Sequence, residues 1–389
     1  MMVKWFIIPV MLFAVTGCIE AGEKRIIPAA EQTRDYIDLL KGKRVGIMAN
    51  QTSVIGNVHL VDSLLSLGIE IEKIFSLEHG FTGIIDRGSA VSSHVDSRSG
   101  IQVISLYGNR KKPAPEDLKD IDLIIFDIQD VGVRCYSYIS SLQRLMEACA
   151  ENDLPLLILD RPNPNGFYVD GPVLDTAYRS FVGLQPIPVV HGMTVGEYAL
   201  MLNGEGLLSG AVKCDLIIIK CAGYSHNSHY TLPVRPSPNL PNQAAVLLYP
   251  SLCLFEGTPV SIGRGTDFPF QVIGHPDLPE SDFSFTPHPV EGASNPVLKG
   301  VECHGYDLRD FFAGGIVPAD HMDLDWLIRV YNEFPDKDNF FTAYFNNMAG
   351  NNILQEQIKA GISEEVIRLS WQDDLNRFRK IREKYLLYE

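Results

Sequence analysis

IDLIIFDIQDVGVR, residues 121–134, contains four consecutive apolar residues, Leu123 to Phe126, that run straight into Asp127-Ile128-Gln129-Asp130. An apolar run without polar alternation is expected of a strand covered on both faces, as in parallel sheets flanked by helices. The same pattern recurs at Arg44–Ala49, Glu72–Ser76, Gln102–Leu106, Pro155–Leu159 and Asp215–Ile219. Helical candidates lie between these runs, at Asp35–Leu40, Val58–Leu67, Ser137–Glu151 and Val195–Asn203. Strand alternating with helix defines an α/β layer fold, so a Rossmann-like domain with a mostly parallel sheet is expected.

That domain is expected to span residues 27–236. The segment Tyr230–Asn242, YTLPVRPSPNLPN, holds four prolines and neither period, which marks a boundary. Residues 237–389 are expected to form a smaller α/β (α+β) domain that closes a cleft against the first. Its Gly- and Pro-rich β-like part is followed by helices at Asp323–Glu333 and Ser363–Tyr388.

At the other end, Lys4 precedes the apolar run Trp5 to Val15, which ends in Val15-Thr16-Gly17-Cys18. The run is too short to span a bilayer but fits a signal-peptide core. Small residues leading into a cysteine resemble a bacterial lipobox, with cleavage before Cys18 and lipidation of that residue. Residues 1–18 are therefore read as a lipoprotein signal, and the mature chain as a membrane-anchored periplasmic protein. A net charge of −15 argues against a nucleic-acid partner. The six further cysteines are scattered without zinc-ligand spacing, and no obligate protein partner is evident.

Ligands of open parallel sheets bind beyond the carboxyl ends of the strands. Four strand ends carry polar groups here. They are Asn50-Gln51-Thr52, Glu78-His79-Gly80, the series from Asp127 through Gln129 and Asp130 to Arg134, and Asp160-Arg161-Pro162-Asn163. No G-x-G-x-x-G, Walker-type, H-E-x-x-H or G-x-S-x-G motif accompanies them, so no cofactor and no metal is expected. Carboxylates with amides and arginines suit glycoside hydrolysis, in which one carboxylic acid protonates the leaving oxygen. Glu78 leads as that acid, because a carboxyl leaving a buried strand is partly desolvated. The bland alternative is an exposed Glu-His turn. Asp127, Asp130 and Asp160 are alternative acids or helix caps, and Arg134 and Arg161 either pair them or grip a substrate carboxylate. Tyr136 is a stacking or core aromatic, and Glu256 and Arg264 sit in turns able to close the cleft from the far side. The pair His226 and His229 reads as surface. Thr194 and Glu197 read as a capping box, with His191 just ahead of it.

Taken together, ANQTSV, LEHGFTG, FDIQDVGVRCYSYISSL, LDRPNPNG, HGMTVGEYA, PSPNLP and LFEGTPVSIGRGTDFPFQVIG resemble the DUF1343 family, whose characterised members are exo-β-N-acetylmuramidases. The resemblance runs in order over nearly the whole chain after Cys18. It implies a cleft between two domains, removal of terminal N-acetylmuramic acid from peptidoglycan fragments, and catalysis by Glu78. The family's usual motif has Gly-Pro before this acid and Arg after the Phe, where Ser76-Leu77 and Thr82 stand here. With Glu78 as acid, Asp127 and Asp130 are expected as further catalytic groups. Asn50, Gln51, His79, Gln129, Arg134, Tyr136, Asp160, Arg161, Asn163, His191, Glu256 and Arg264 are expected to bind the sugar or muropeptide. A non-catalytic sugar-binding lipoprotein and a glycosidase for another amino sugar are the alternatives.

Overall fold

The computed structural model describes residues 25–86, 88–89, 92–312 and 320–389. Cys18 and the segment read as a signal lie outside the described residues. Strand β1 (Arg44–Ala49) is followed by a small hairpin of β2 (Val54–Ile55) and β3 (Val58–His59), then by β4 (Glu70–Ser76), β5 (His94–Val95) and β6 (Gln102–Ser105). Next come β7 (Leu123–Asp127), β8 (Leu156–Leu159) and β9 (Leu216–Ile219). These build a seven-stranded sheet in the order β5-β6-β4-β1-β7-β8-β9, parallel except for β5 at the edge. The six parallel strands are the six apolar runs read from the sequence, with ends shifted by a residue or two.

Strand alternation divides the apolar residues between two layers. Val45, Ile47, Leu123, Ile125, Leu157 and Leu159 face a cluster covered by the helix Leu60–Ser66 and the first helical turns. Met48, Phe75, Ile124, Phe126 and Ile158 face the opposite way, under the helices Tyr138–Glu151 and Val195–Gly204. Every residue of β7 is buried, as a strand covered on both faces requires.

The chain then passes through the proline-rich segment into the helix Gln243–Leu252 and an antiparallel sheet of β10 (Val272–His275), β11 (Ser284–Phe285) and β12 (Cys303–Asp307), in the order β10-β12-β11. Asp325–Glu333 is helical, close to expectation. The expected helix Ser363–Tyr388 is instead two, Glu364–Ser370 and Gln372–Arg382, broken at Trp371. The cause is tertiary: the buried Trp371 turns its indole N–H to Asp170 Oδ1 at 3.2 Å, and its backbone leaves the helical path. The chain ends by returning to the first sheet, where the Tyr388 hydroxyl donates to Asp160 Oδ2 at 2.6 Å.

Apolar packing is continuous across the 236/237 junction, since one cluster holds Leu142 and Leu145 together with Phe345, Trp371 and Leu375. Arg134 pins that junction. It is fully buried and donates to the carbonyls of Pro172 (2.9 Å), Ile187 (2.8 Å) and, from the second half, Met348 (2.8 Å). Gly350 is a glycine for the same reason, because a Cβ there would lie 2.7 Å from the guanidinium. Arg134→Ala would take the shared donor from three carbonyls; Ile187 keeps the Leu174 N–H and Met348 the Cys135 thiol, so the loss centres on the Pro172 carbonyl, worth roughly 1–3 kcal/mol when left unsatisfied. Its thermal midpoint is expected to fall well below that of Arg144→Ala, a partly exposed control, in parallel calorimetric scans.

Candidate active site

From β1 the chain moves outward to β4 and β6 on one side, then crosses to β7, β8 and β9 on the other. The loops leaving β4 and β7 therefore part at β1, and such a switch point opens a crevice at the carboxyl edge of the sheet. A cleft of about 810 Å³, partly open to solvent, lies there.

Glu78 enters it from β4. Its Oε1 accepts from the Tyr107 hydroxyl at 2.7 Å and its Oε2 from the Ser137 hydroxyl at 3.2 Å. The Tyr138 hydroxyl reaches the Glu78 carbonyl at 3.4 Å and is itself held by the Asn50 amide at 3.2 Å. The loop beyond is sharply turned. His79 adopts φ 69°, a left-handed conformation uncommon for a residue with a side chain. It is over-determined by two bonds to one residue, from its ring Nδ1 to the Ile85 carbonyl (2.6 Å) and from the Ile85 N–H to its own carbonyl (3.1 Å). Gly83 has φ 73°, and a Cβ there would come within 2.2 Å of the Gln51 side chain. Gln51 donates in turn to the carbonyls of Arg235 (3.1 Å) and Pro236 (3.0 Å). The Tyr136 hydroxyl donates to the same Pro236 carbonyl at 2.8 Å. One proline carbonyl thus fixes loops after β1 and β7 to the segment that leads into the second half.

The second half supplies the far wall. Arg264 Nη2 lies 2.7 Å from Glu256 Oε1, and its guanidinium packs 4.9 Å from the Phe270 ring centroid. An aromatic series crosses between the walls, Tyr138–Tyr136–Tyr249–Phe270, with centroid spacings of 4.8, 6.0 and 4.9 Å, each edge to face. Burial pushes the phenols of Tyr136, Tyr138 and Tyr249 up, so they remain hydrogen-bond donors.

Of the residues expected at the site, Glu78, His79, Tyr136, Glu256 and Arg264 line this cleft. Asn50 supports it through Tyr138, and Gln51 through the Gly83 turn. The others do not line it. Asp127 and Arg161 are spent on each other in a buried bidentate pair, at 2.6 and 2.8 Å. Asp160 collects the Tyr388 and Thr194 hydroxyls and the Gly196 N–H. Burial still pushes its carboxyl up, to about 6. Gln129 caps the carbonyls of Asp130 and Pro162, and Asn163 that of Met193. Asp127, Asp130, Gln129, Arg134, Asp160, Arg161, Asn163 and His191, expected to face the sugar, are all buried and do not line this cleft. Glu197 forms the expected capping box with Thr194. His226 is not at the surface, since its ring bridges Glu197 (2.9 Å) and the Gly166 carbonyl (3.2 Å). Of the residues that sequence reading missed, Tyr107, Lys111 and Phe181 come from loops without a motif, while Ser137 and Asn239 lie within the quoted stretches FDIQDVGVRCYSYISSL and PSPNLP without standing out there. Among the described residues no group of three or more His, Cys, Asp or Glu is placed to hold a metal ion.

A carboxyl held by two hydroxyls beside a series of aromatic rings is the equipment of a carbohydrate-cleaving site. Comparison with known proteins makes the class specific. Residues 45–244 match the family described as exo-beta-N-acetylmuramidase NamZ, N-terminal, and residues 247–388 match its C-terminal counterpart. The chain belongs to this family. It is 38% identical over 379 residues to the peptidoglycan beta-N-acetylmuramidase NamZ of Bacillus subtilis, covering 91% of this chain and 89% of that protein. Two solved DUF1343 family proteins of Bacteroides fragilis share its fold. One is 45% identical with a TM-score of 0.85, the other 29% identical with a TM-score of 0.78, each covering 94% of this chain and 99% of the other.

Behind the aromatic floor, His191 Nε2 stands 3.9 Å from Asp130 Oδ2. His191 Nδ1 accepts from the Met193 N–H, so the neutral ring carries its proton on Nε2, toward the acid. Burial pushes Asp130 up to about 7 and His191 down to about 3. Between about pH 4 and 6.5 the folded pair therefore holds one proton, on Asp130, and the unfolded pair also holds one, on His191. Their contributions to the pH dependence of stability cancel. In Asp130→Asn, His191 alone remains and the unfolded state binds more protons, so stability should rise with pH from about 3 to 6.5. In His191→Gln, Asp130 alone remains and the folded state binds more protons, so stability should fall from about pH 4 to 7. Each slope approaches about 1.4 kcal/mol per pH unit relative to wild type. Urea unfolding across that range checks both signs.

Proposed function

We propose that the protein is an exo-acting glycoside hydrolase that releases terminal β-N-acetylmuramic acid from the non-reducing end of peptidoglycan fragments, with Glu78 as the proton donor. The observation that carries the assignment is the placing of the Glu78 carboxyl on the cleft wall between the Tyr107 and Ser137 hydroxyls, in a chain of this family. Donation to the glycosidic oxygen lets its bond to the anomeric carbon break through an oxocarbenium-like transition state; the oxygen leaves as the alcohol bearing that proton, and water adds to the anomeric carbon and gives up a proton in turn. Tyr107 and Ser137 hold the acid in one orientation, which is what proton transfer to a positioned oxygen needs. The aromatic floor receives the sugar ring. Glu256, on the opposite wall, fixes Arg264 against the substrate side of Phe270. Residues 237–389 act as the unit that closes the cleft over the sugar.

The same reading puts the enzyme outside the cytoplasm, tethered to a membrane by lipid on Cys18. Its support is the apolar run Trp5 to Val15 and the small residues before the cysteine. Among the described residues no helix is long and apolar enough to cross a membrane.

In Glu78→Gln, hydrolysis of a chromogenic β-N-acetylmuramic acid glycoside is expected to fall at least about 100-fold, the lower range for loss of a general acid. Far-UV circular dichroism should stay unchanged, because the amide keeps the shape and its carbonyl can still accept from the Tyr107 hydroxyl and the Gly88 N–H. Undiminished turnover would remove Glu78 from the chemistry. In Cys18→Ala, the protein is expected to leave the membrane fraction on cell fractionation, with activity per molecule retained.

A further inference from the structure

We propose that Lys111 binds the lactyl carboxylate of the terminal sugar and so sets the preference for a free muramic acid end. The inference rests on the activity proposed above and adds the residue that reads the group distinguishing this sugar from glucosamine.

An anionic substituent approaching a chain of net charge −15 needs a local cation to be held. Of the lysines and arginines, Arg264 and Lys111 line the cleft, and Arg134 and Arg161 lie buried beneath it. Arg134 is buried among three carbonyls, and Arg161 is closed by both Asp127 oxygens. Arg264 reaches the cleft but is committed to Glu256 at 2.7 Å, and both are mostly buried, so its charge is already matched. Lys111 differs from all three. It lines the cleft on the side of Glu78 and Tyr107, is only partly buried, and has no carboxylate within ion-pair distance among the described residues.

Its ammonium is nonetheless positioned. Nζ lies 4.0 Å from the centroid of the Phe181 ring, a cation–π contact that holds the ammonium without a carboxylate partner and uses none of its N–H donors on an oxygen. Phe181 and Val182 are half-buried beside it. A lactyl ether presents one methyl and one carboxylate on the same carbon, and this corner presents an apolar wall and one ammonium. A stem peptide would convert the carboxylate to an amide and remove the charge, so peptide-free ends are the favoured substrate.

The test uses the full chain in detergent and two chromogenic substrates, β-N-acetylmuramic acid glycoside and its carboxamide, blocked at the lactyl group. Wild type should prefer the free acid by about 10- to 100-fold in kcat/KM, the range expected of a charge-assisted hydrogen bond. Lys111→Met should lose that preference, chiefly through KM and only on the free acid, while Lys111→Arg should keep most of it. An unchanged preference in Lys111→Met, or an equal loss on both substrates, would overturn the assignment. Absence of wild-type turnover on either substrate would instead refute the activity itself.

Discussion

Asp127 and Arg161 form the contact on which the carboxyl edge of the sheet depends. Their side chains are 0% and 2% exposed, one at the end of β7 and the other just beyond β8. Taking two charges out of water costs several kcal/mol per ion, and only close, multiply bonded geometry offsets it. The bidentate fork supplies that geometry. Arg161 also approaches the Val54 carbonyl at 3.4 Å, so the segment after β1 is drawn into the same knot. Removing either partner would leave an uncompensated buried charge, which is why this pair is construction and not chemistry. Its neighbour Asp160 does the equivalent work one position earlier, binding the chain terminus through Tyr388.

With the central acids engaged in this way, the carboxyl that lines the cleft, Glu78, stands after β4, on the other side of β1. There the scaffold can hold a partly exposed group without enclosing it. The left-handed His79, the Gly83 turn against Gln51 and the Pro236 carbonyl shared by Gln51 and Tyr136 all restrict the same loop. These restraints come from three strand ends and from the proline-rich segment. The position of Glu78 therefore depends on the docking of the second half as much as on its own strand.

Much of the sheet is legible in the sequence because its strands are covered on both faces. An apolar run as short and unbroken as Leu123–Phe126 fits a doubly covered strand, whereas the edge strand His94–Val95 and the helix Gln243–Leu252, with Pro250 inside it, carry no such pattern. The break at Trp371 is hidden because helical spacing is local and the Asp170 partner is 201 residues away. At the site, polar strand ends point to the correct edge of the sheet but not to which groups face the ligand. Asp127, Asp130 and Glu78 look alike in sequence, and only the pairing of Asp127 with Arg161 and the burial of Asp130 separate them. Lys111, in the charge-rich segment NRKKPAPED, has the look of solvated surface, because the Phe181 ring beneath it comes from a loop 70 residues on.

The polar groups beneath the floor explain how so many ionisable residues fit in an interior without destabilising it. Asp127 is neutralised by a cation, while Arg134 is solvated by carbonyl dipoles in place of a carboxylate. Asp130 and His191 are kept uncharged by burial, at the cost of atoms left without a hydrogen bond on each. The neutral state of that last pair has a consequence for the layer above it. A charged Asp130 acts directly on Tyr136 and Tyr138, and its charge is among the causes that raise their phenols. By staying protonated through the acidic range it adds no charge beneath that layer.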